Sequence, residues 1–554
     1  MGKPKTTRRE FLAAVGTLIA SRSAFPAGTS AIGKWPSADG TSAEISLPNI
    51  VYILADDLGY GDVSCQNPRS KISTPNLDRF AAEGVRFTDA HDPTAVCTPT
   101  RYGILTGRYC WRSSLKRGVL GGFSPPLIEP SRLTVPEMLR RCGYATACIG
   151  KWHLGIAWPR KNPPGSGDPD TGNGIDFSLP ILGGPRARGF DYFFGLSASL
   201  DMPPYVFIEN DRTVALPTAQ QEKQGFVRNG PKDPRFKFEN VLRTLTEKTV
   251  QTVVEHVRKN SNRPFFLYVA LNAPHTPVVP RPEFHGKSLA GDYGDFVVEV
   301  DWAVGEILQA LGKQKLADRT LVFFTSDNGP ERIAYERARQ YRHYSMGELR
   351  GVKRDAWEGG HRVPFMARWP GRIRPGSISN EIVCQTDLMA TLAAVSGMKL
   401  PDDAGEDSYN ILPALLGLPL NEPIREATVF HSASGKFAIR QGNWVLIDAP
   451  SGDDNQEPDW FKLERDYRPH DQPVELYDLR SDIGERRNLY SRHPEIAGKL
   501  KALLEKYKSE GRSTPRQRAV RVDGRGCERR PPVRRYGCMA QRISRHRLRP
   551  PGAD

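Results

Sequence analysis

The sequence predicts an α/β protein with a large mixed, mostly parallel sheet flanked by helices on both faces, followed by a smaller C-terminal α+β domain. Three observations carry this prediction. Short β-rich runs, apolar on both faces, recur between helical stretches, the pattern of strands at the centre of a parallel sheet. Each run stops abruptly at polar or charged residues. Beyond about residue 425 the pattern changes to short, closely spaced strands. A chain of 554 residues with 38% hydrophobic content is long enough for one large globular domain and a smaller one.

Taken in order, the chain opens with Thr7-Arg8-Arg9-Glu10-Phe11-Leu12 and a mostly apolar run over 13–20. This resembles a twin-arginine export signal over residues 1–31, with an apolar stretch too short to span a membrane. The main domain is expected over 45–425. Its first strand, Ile50 to Leu54, ends in Ala55-Asp56-Asp57. Thr74-Pro75 opens a helix in which Leu77, Phe80 and Ala81 share a face, and Gly84 closes it. Pro99 suits the first turn of another helix, which places Cys97 at or just before a helix N-terminus, where unpaired N–H groups and the helix dipole favour an anion. Val135 to Arg141 is a helix capped from Thr134 and ended by Gly143. The strand Ala145 to Ile149 then ends in Gly150-Lys151-Trp152-His153. Between Trp158 and Gly189 lies a Gly/Pro-rich loop containing Asn162-Pro163-Pro164-Gly165, of the kind that shapes a binding site. Phe265 to Leu271 ends in Asn272-Ala273-Pro274-His275, and Thr320 to Phe324 ends in Thr325-Ser326-Asp327-Asn328. Between them, Val300, Val304, Ile307, Leu308 and Leu311 give Glu299 to Leu311 helical spacing. Because ligands of open α/β sheets bind beyond the carboxyl ends of the strands, the four runs deliver their charges to one edge.

The smaller domain is expected over 426–511, with strands at Ala427 to His431, Phe437 to Arg440 and Trp444 to Ile447, then Glu475 to Leu479 and a helix over about 494–508. Residues 512–554 form a basic tail with 13 arginines against Asp523, Glu528 and Asp554. The tail has little apolar material to bury and reads as disordered, so no nucleic-acid partner is expected despite its charge. The formal net charge of +15 comes mostly from this tail and the N-terminal segment, which leaves the body nearly neutral. Eight cysteines show no Cys-x-x-Cys zinc or redox spacing, and no apolar run is long enough for a mature transmembrane span.

Asp56, Asp57, Asp327 and Asn328 are hard oxygen donors without accompanying paired histidines, a set that suits Ca²⁺ or Mg²⁺ rather than zinc. Any one of them is more often a turn or cap residue. Adjacent carboxylates at the end of a buried strand are harder to dismiss, since their repulsion calls for a compensating cation.

Cys97-Thr98-Pro99-Thr100-Arg101, followed by Leu105-Thr106-Gly107-Arg108, resembles the signature of the type I, formylglycine-dependent sulfatases of the alkaline phosphatase superfamily. So, in the family's order, do the blocks from Ala55 to Asp62, Gly150 to Gly155, Ala273 to Pro277, Ser326 to Gly329 and Leu349 to Gly360. Thr100 stands where the family often has Ser, and His361 where an aliphatic residue is common. The resemblance implies that Cys97 is converted by a formylglycine-generating maturase to 3-oxoalanine, an aldehyde whose hydrate is the nucleophile. It implies that Asp56, Asp57, Asp327 and Asn328, with the modified Cys97, hold Ca²⁺, with Mg²⁺ the alternative. Arg101 and Lys151 would steady the diol, His275 and Lys353 would grip the sulfate and protonate the leaving oxygen, and His153 would be the base that releases sulfate. His361 and the polar stretch 331–346 are further candidates to touch substrate.

The function expected is an exported sulfate-ester hydrolase, periplasmic or extracellular, delivered by the twin-arginine translocase and acting on a sulfated carbohydrate. Three other readings stand beside it: a phosphonate monoester or phosphodiester hydrolase using the same modified cysteine, a catalytically dead glycan-binding homologue, and an enzyme using Cys97 as a thiolate, which leaves the acidic cluster without a role.

Overall fold

The computed structural model describes residues 47–161, 172–260 and 262–516. The export segment, the Asn162-Pro163-Pro164-Gly165 stretch and the tail beyond Arg516 lie outside the described residues.

Ten strands form one sheet in the spatial order Ser377–Ser379, Val85–Phe87, Phe365–Arg368, Thr320–Ser326, Asn49–Ala55, Phe265–Ala270, Ala145–Lys151, Tyr192–Leu196, Ile208–Glu209 and Arg212–Thr213. The four strands expected from the apolar runs are contiguous and mutually parallel. Phe365–Arg368 runs antiparallel to both its neighbours, which makes the sheet mixed.

Period-two alternation divides the core. Ile50, Tyr52 and Leu54 pack on one face with Tyr102, Leu105, Met138, Leu139 and Leu392 from the helices Cys97–Thr106, Val135–Arg141 and Leu388–Ser396. Val51, Ile53 and Ala55 pack on the other with Leu77, Phe80, Leu245, Val253, Val297 and Val304 from Pro75–Ala82, Val241–Asn260 and Gly291–Lys313. Each fully buried side chain of this size contributes about 1.5–3 kcal/mol, so the two apolar layers dominate the stability of the sheet.

Two helix starts are instructive. Thr134 caps Val135–Arg141 by accepting a hydrogen bond from the Glu137 backbone N–H at 3.3 Å, as expected. The helix expected from Glu299 begins instead at Gly291, because Tyr293, Phe296 and Val297 continue the buried stripe backwards and compensate for the glycines in the first turn.

Beyond the large sheet, Thr428–His431, Phe437–Gln441, Trp444–Ile447 and Glu475–Asp478 form a four-stranded antiparallel sheet. The helix Pro494–Glu510 lays Ala497, Leu500, Leu504 and Tyr507 against Ile439, Leu446 and Leu476 of that sheet. Among the described residues no helix is long and apolar enough to cross a membrane.

Candidate active site

Cys97 is the first residue of the helix Cys97–Thr106 and is 2% exposed. The helix can lie close to its neighbours because residue 103 is glycine; a Cβ there would come within 2.9 Å of Pro93. Opposite it, the ladder continues past the strand ends: the Asp56 N–H donates to Ala273 O at 3.0 Å and the Asp327 N–H to Ala55 O at 3.2 Å. The backbone then turns sharply, with Asp57 at φ 64° and His153 at φ 57° in the left-handed region that non-glycine residues seldom occupy.

The side chains converge on one buried cluster. One donor atom from each of Asp56, Asp57, Cys97 and His275 lies within 4.8 Å of the others. Lys151 Nζ donates to Asp56 Oδ2 at 2.7 Å. Lys353 Nζ lies 2.8 Å from the Asp57 carboxylate, and Asn328 Nδ2 donates to Asp57 Oδ1 at 2.7 Å. Arg101 donates through Nε to Asp327 Oδ2 at 2.9 Å and through a second guanidinium nitrogen to Lys151 O at 2.9 Å. His275 Nε2 is 3.7 Å from Asp57 Oδ2, and His153 Nε2 pairs with Leu120 O at 2.8 Å.

The same surroundings set the protonation states. Burial alone would raise the Asp56 carboxyl, but Lys151, His275 and Arg101 hold it far below the usual carboxylate range. Burial works against charge on His275 too, yet Asp57 and Asp56 hold its imidazole up at about 9, protonated at neutral pH. His153 goes the other way: burial, reinforced by Lys151 and Arg101, pushes it well below the ordinary imidazole range. The two histidines are thus shifted in opposite directions by their surroundings.

A family model described as Sulfatase matches residues 48–398. An N-acetylgalactosamine-6-O-sulfatase of Bacteroides thetaiotaomicron is 36% identical over 508 residues, spanning 83% of this chain and 93% of the relative. The chain belongs to the sulfatase family. Human arylsulfatase A is 34% identical over 473 residues, spanning 82% of this chain and 87% of the relative. A solved structure described under glycosaminoglycan metabolism by Bacteroides thetaiotaomicron superposes with a TM-score of 0.71 at 34% identity, covering 84% of this chain and 99% of that one. The fold is thus alkaline-phosphatase-like and the activity that of a sulfuric ester hydrolase.

Within this sulfatase the donor set fits a hard divalent cation. Asp56 Oδ1 and Asn328 Oδ1 are buried oxygens without a hydrogen-bond partner, beside the carboxylates of Asp57 and Asp327. Oxygen donors of this kind suit Ca²⁺ or Mg²⁺.

His361, a candidate to touch substrate, does not reach the cluster. It is buried against Phe430, with ring centroids 4.0 Å apart, and its Nδ1 lies 3.1 Å from that of His91. In the 331–346 stretch, His343 is likewise turned inward onto Asp62 at 2.7 Å, whereas Glu331 lies 3.6 Å from Lys353 Nζ and grips Arg354. Arg354 and Asn455, which holds the Lys353 backbone carbonyl at 2.7 Å, are neighbours of the site that the motifs did not single out. Arg354 directly follows Lys353 in the block from Leu349 to Gly360, a usable signal; Asn455 lies in a loop about a hundred residues away and carries none.

Proposed function

We propose that this sulfatase is an exported enzyme that hydrolyses sulfate esters of carbohydrates through Cys97 converted to formylglycine, with a bound Ca²⁺. The observation that carries the reading is the convergence of Cys97, at a helix N-terminus, with Asp56, Asp57 and His275 inside 4.8 Å. Formylglycine at position 97 would supply a hydrated aldehyde with one oxygen to attack sulfur and a second hydroxyl whose deprotonation releases sulfate. Ca²⁺ held by Asp56, Asp57, Asp327 and Asn328 would polarise the ester oxygens.

The chain's own residues do the rest. Lys353, Lys151 and protonated His275 spread the negative charge that develops on the sulfuryl oxygens. His275, buried with its Nε2 3.7 Å from Asp57 Oδ2, stands beside the nucleophile where it can give a proton to the leaving alcohol. His153, held neutral, can take a proton. Arg101, locked between Asp327 and the Lys151 carbonyl, fixes the floor under the nucleophile.

Cys97 at 2% exposure is out of reach of a maturase once the chain has folded. A twin-arginine route carries folded protein, so the modification belongs before export, when the segment is still open. The name of the bacterial relative, an N-acetylgalactosamine-6-O-sulfatase, supports a sulfated sugar as substrate.

The test compares the purified, matured enzyme on a matched aryl sulfate and aryl phosphodiester. Faster sulfate turnover is expected. Faster phosphodiester turnover overturns the sulfate assignment, and no turnover of either favours a dead glycan-binding homologue.

A further inference from the structure

An open cavity of about 560 Å³ begins where the cations of the catalytic cluster end. Glu331 and Arg354 form its inner wall, and Glu331 Oε2 is 3.6 Å from Lys353 Nζ. The rest of the lining includes Phe226, Arg332, Ile333, Asn455 and Gln456, contributed by loops far apart in the chain. Its size lies in the range of small-ligand sites.

The charged side chains on this lining are three carboxylates and two guanidinium groups. Glu331 takes both terminal nitrogens of Arg354, at 2.5 and 2.8 Å. Asp454, also on the lining, is held by Lys436 at 2.9 Å. Arg332 and Glu336, the remaining charged pair on the lining, are of opposite sign and make no ion pair among the described residues. A second anionic group on the ligand would meet carboxylates more often than cations. The polar groups are also fixed in place. Arg354 sits at φ 86°, its N–H donating to Ala95 O at 2.8 Å and its guanidinium tied to Glu331. The Asn455 amide donates to Lys353 O at 2.7 Å and to Asp355 Oδ1 at 2.9 Å. Phe226 and Ile333, by contrast, are 54% and 37% exposed, two apolar side chains left open among these polar groups.

We infer that this cavity is the subsite for an uncharged, hydroxyl-bearing sugar ring joined to the sulfated residue, and that Phe226 and Arg354 determine specificity there. The Phe226 ring offers its electron-rich face to the polarised C–H groups of a pyranose. Arg354, already immobilised and with N–H groups left over from its pair with Glu331, meets ring hydroxyls with little further ordering cost. The inference rests on the sulfatase reading of the neighbouring cluster and deepens it, by naming what the ester's sugar is attached to.

The test measures kcat/KM of the matured enzyme for nitrophenyl sulfate and for sulfated disaccharides whose second ring is neutral, uronic or itself sulfated. Phe226→Ala, Arg354→Gln and Gln456→Ala are compared with the wild type, with thermal melts checking that each variant folds. The neutral disaccharide is expected to be the best of the three, and its kcat/KM relative to nitrophenyl sulfate is expected to fall tenfold or more in Phe226→Ala, mainly through KM. The desulfated neutral disaccharide should inhibit nitrophenyl sulfate hydrolysis competitively, with a Ki raised by the same substitution. Wild type that hydrolyses neither class of sulfate ester overturns the sulfatase reading and the subsite with it. Activity on both classes, with a substrate ratio unshifted within twofold in all three variants, overturns the subsite alone. Preference for the uronic or doubly sulfated disaccharide overturns its neutral character.

Discussion

Cys97 sits where the first turn of a helix, three carboxylates and four cationic side chains meet, and the mechanism proposed for it asks for more than an attacking oxygen. A serine at the same place offers one hydroxyl where a hydrated aldehyde offers two, so it can open an ester but has no second proton whose removal expels the sulfate. Cys97→Ser is therefore expected to release at most about one equivalent of alcohol per enzyme and then stop, read as a burst without a steady state; sustained turnover would refute the aldehyde mechanism. That the cluster could be read from sequence follows from how it is built. Asp56, Lys151, His275 and Asp327 each end or closely follow an apolar run, and a strand buried on both faces writes itself as such a run. Phe226, Asn455 and Gln456 sit in loops whose meeting depends on the packing of distant elements, and no local pattern marks them. His361 misleads for the opposite reason: a histidine next to a motif reads as a ligand or substrate contact, but here it serves as a flat ring packed on Phe430.

At the scale of elements, the segment from Leu349 to Arg362 is the piece that the C-terminal sheet holds in place. Trp357 Nε1 donates to Glu475 Oε2 at 2.8 Å, the Arg350 guanidinium lies 3.8 Å over the Trp357 ring and pairs with Glu457, and Glu358 N donates to Glu485 Oε2 at 2.8 Å. Arg440 of Phe437–Gln441 reaches back to Asp89 at 2.6 Å and to Glu358 at 3.3 Å. Gly329 N in turn donates to Gly360 O at 2.9 Å, so the segment also supports the loop carrying Asp327 and Asn328. Removing one partner of a buried charge network leaves the other uncompensated, which costs about 3–5 kcal/mol. Arg440→Met should lose stability on that scale in urea unfolding; a loss below about 1 kcal/mol would show that Arg362, itself 3.0 Å from Glu358, carries the network alone. The central strands of the large sheet were legible as elements, whereas Val85–Phe87, Ser377–Ser379, Ile208–Glu209 and Arg212–Thr213 were not, being two or three residues long and specified by the strands they join. The helix Val241–Asn260 is hidden by its β-branched content. Within it Thr246, Thr249 and Thr252 satisfy their hydroxyls on carbonyls four residues back, at 2.8, 2.8 and 2.7 Å.

For the molecule as a whole, the response to acid is a contest between buried groups of opposite sign. Burial pushes His431 down to about 4 and His361, also against His91 and Arg440, down to about 3. Their folded values lie below the ordinary 6.5, so the unfolded chain binds more protons. Their contribution is therefore present in full above pH 6.5 and lost as the pH falls toward 4 for His431 and toward 3 for His361. Burial also raises the carboxyls of Asp92, Asp355 and Glu485 well above their usual range, and these act in the opposite direction, stabilising the folded state as the pH falls. The slope of total stability against pH mixes both sets, and a difference profile separates them. His431 suits this purpose: it is 1% exposed, and the hydrogen bond between its Nδ1 and Ser432 O, at 3.0 Å, is a pH-independent loss on substitution so long as the ring is neutral. Relative to the wild type, His431→Phe should gain about 1.4 kcal/mol per pH unit as the pH is lowered from 6.5 to 4, measured as unfolding free energy at each pH. The constant offset from the lost hydrogen bond shifts that line without tilting it. A flat difference across the window would mean that His431 takes up its proton in the folded molecule as readily as in the unfolded chain, and that its burial does not contribute to acid sensitivity.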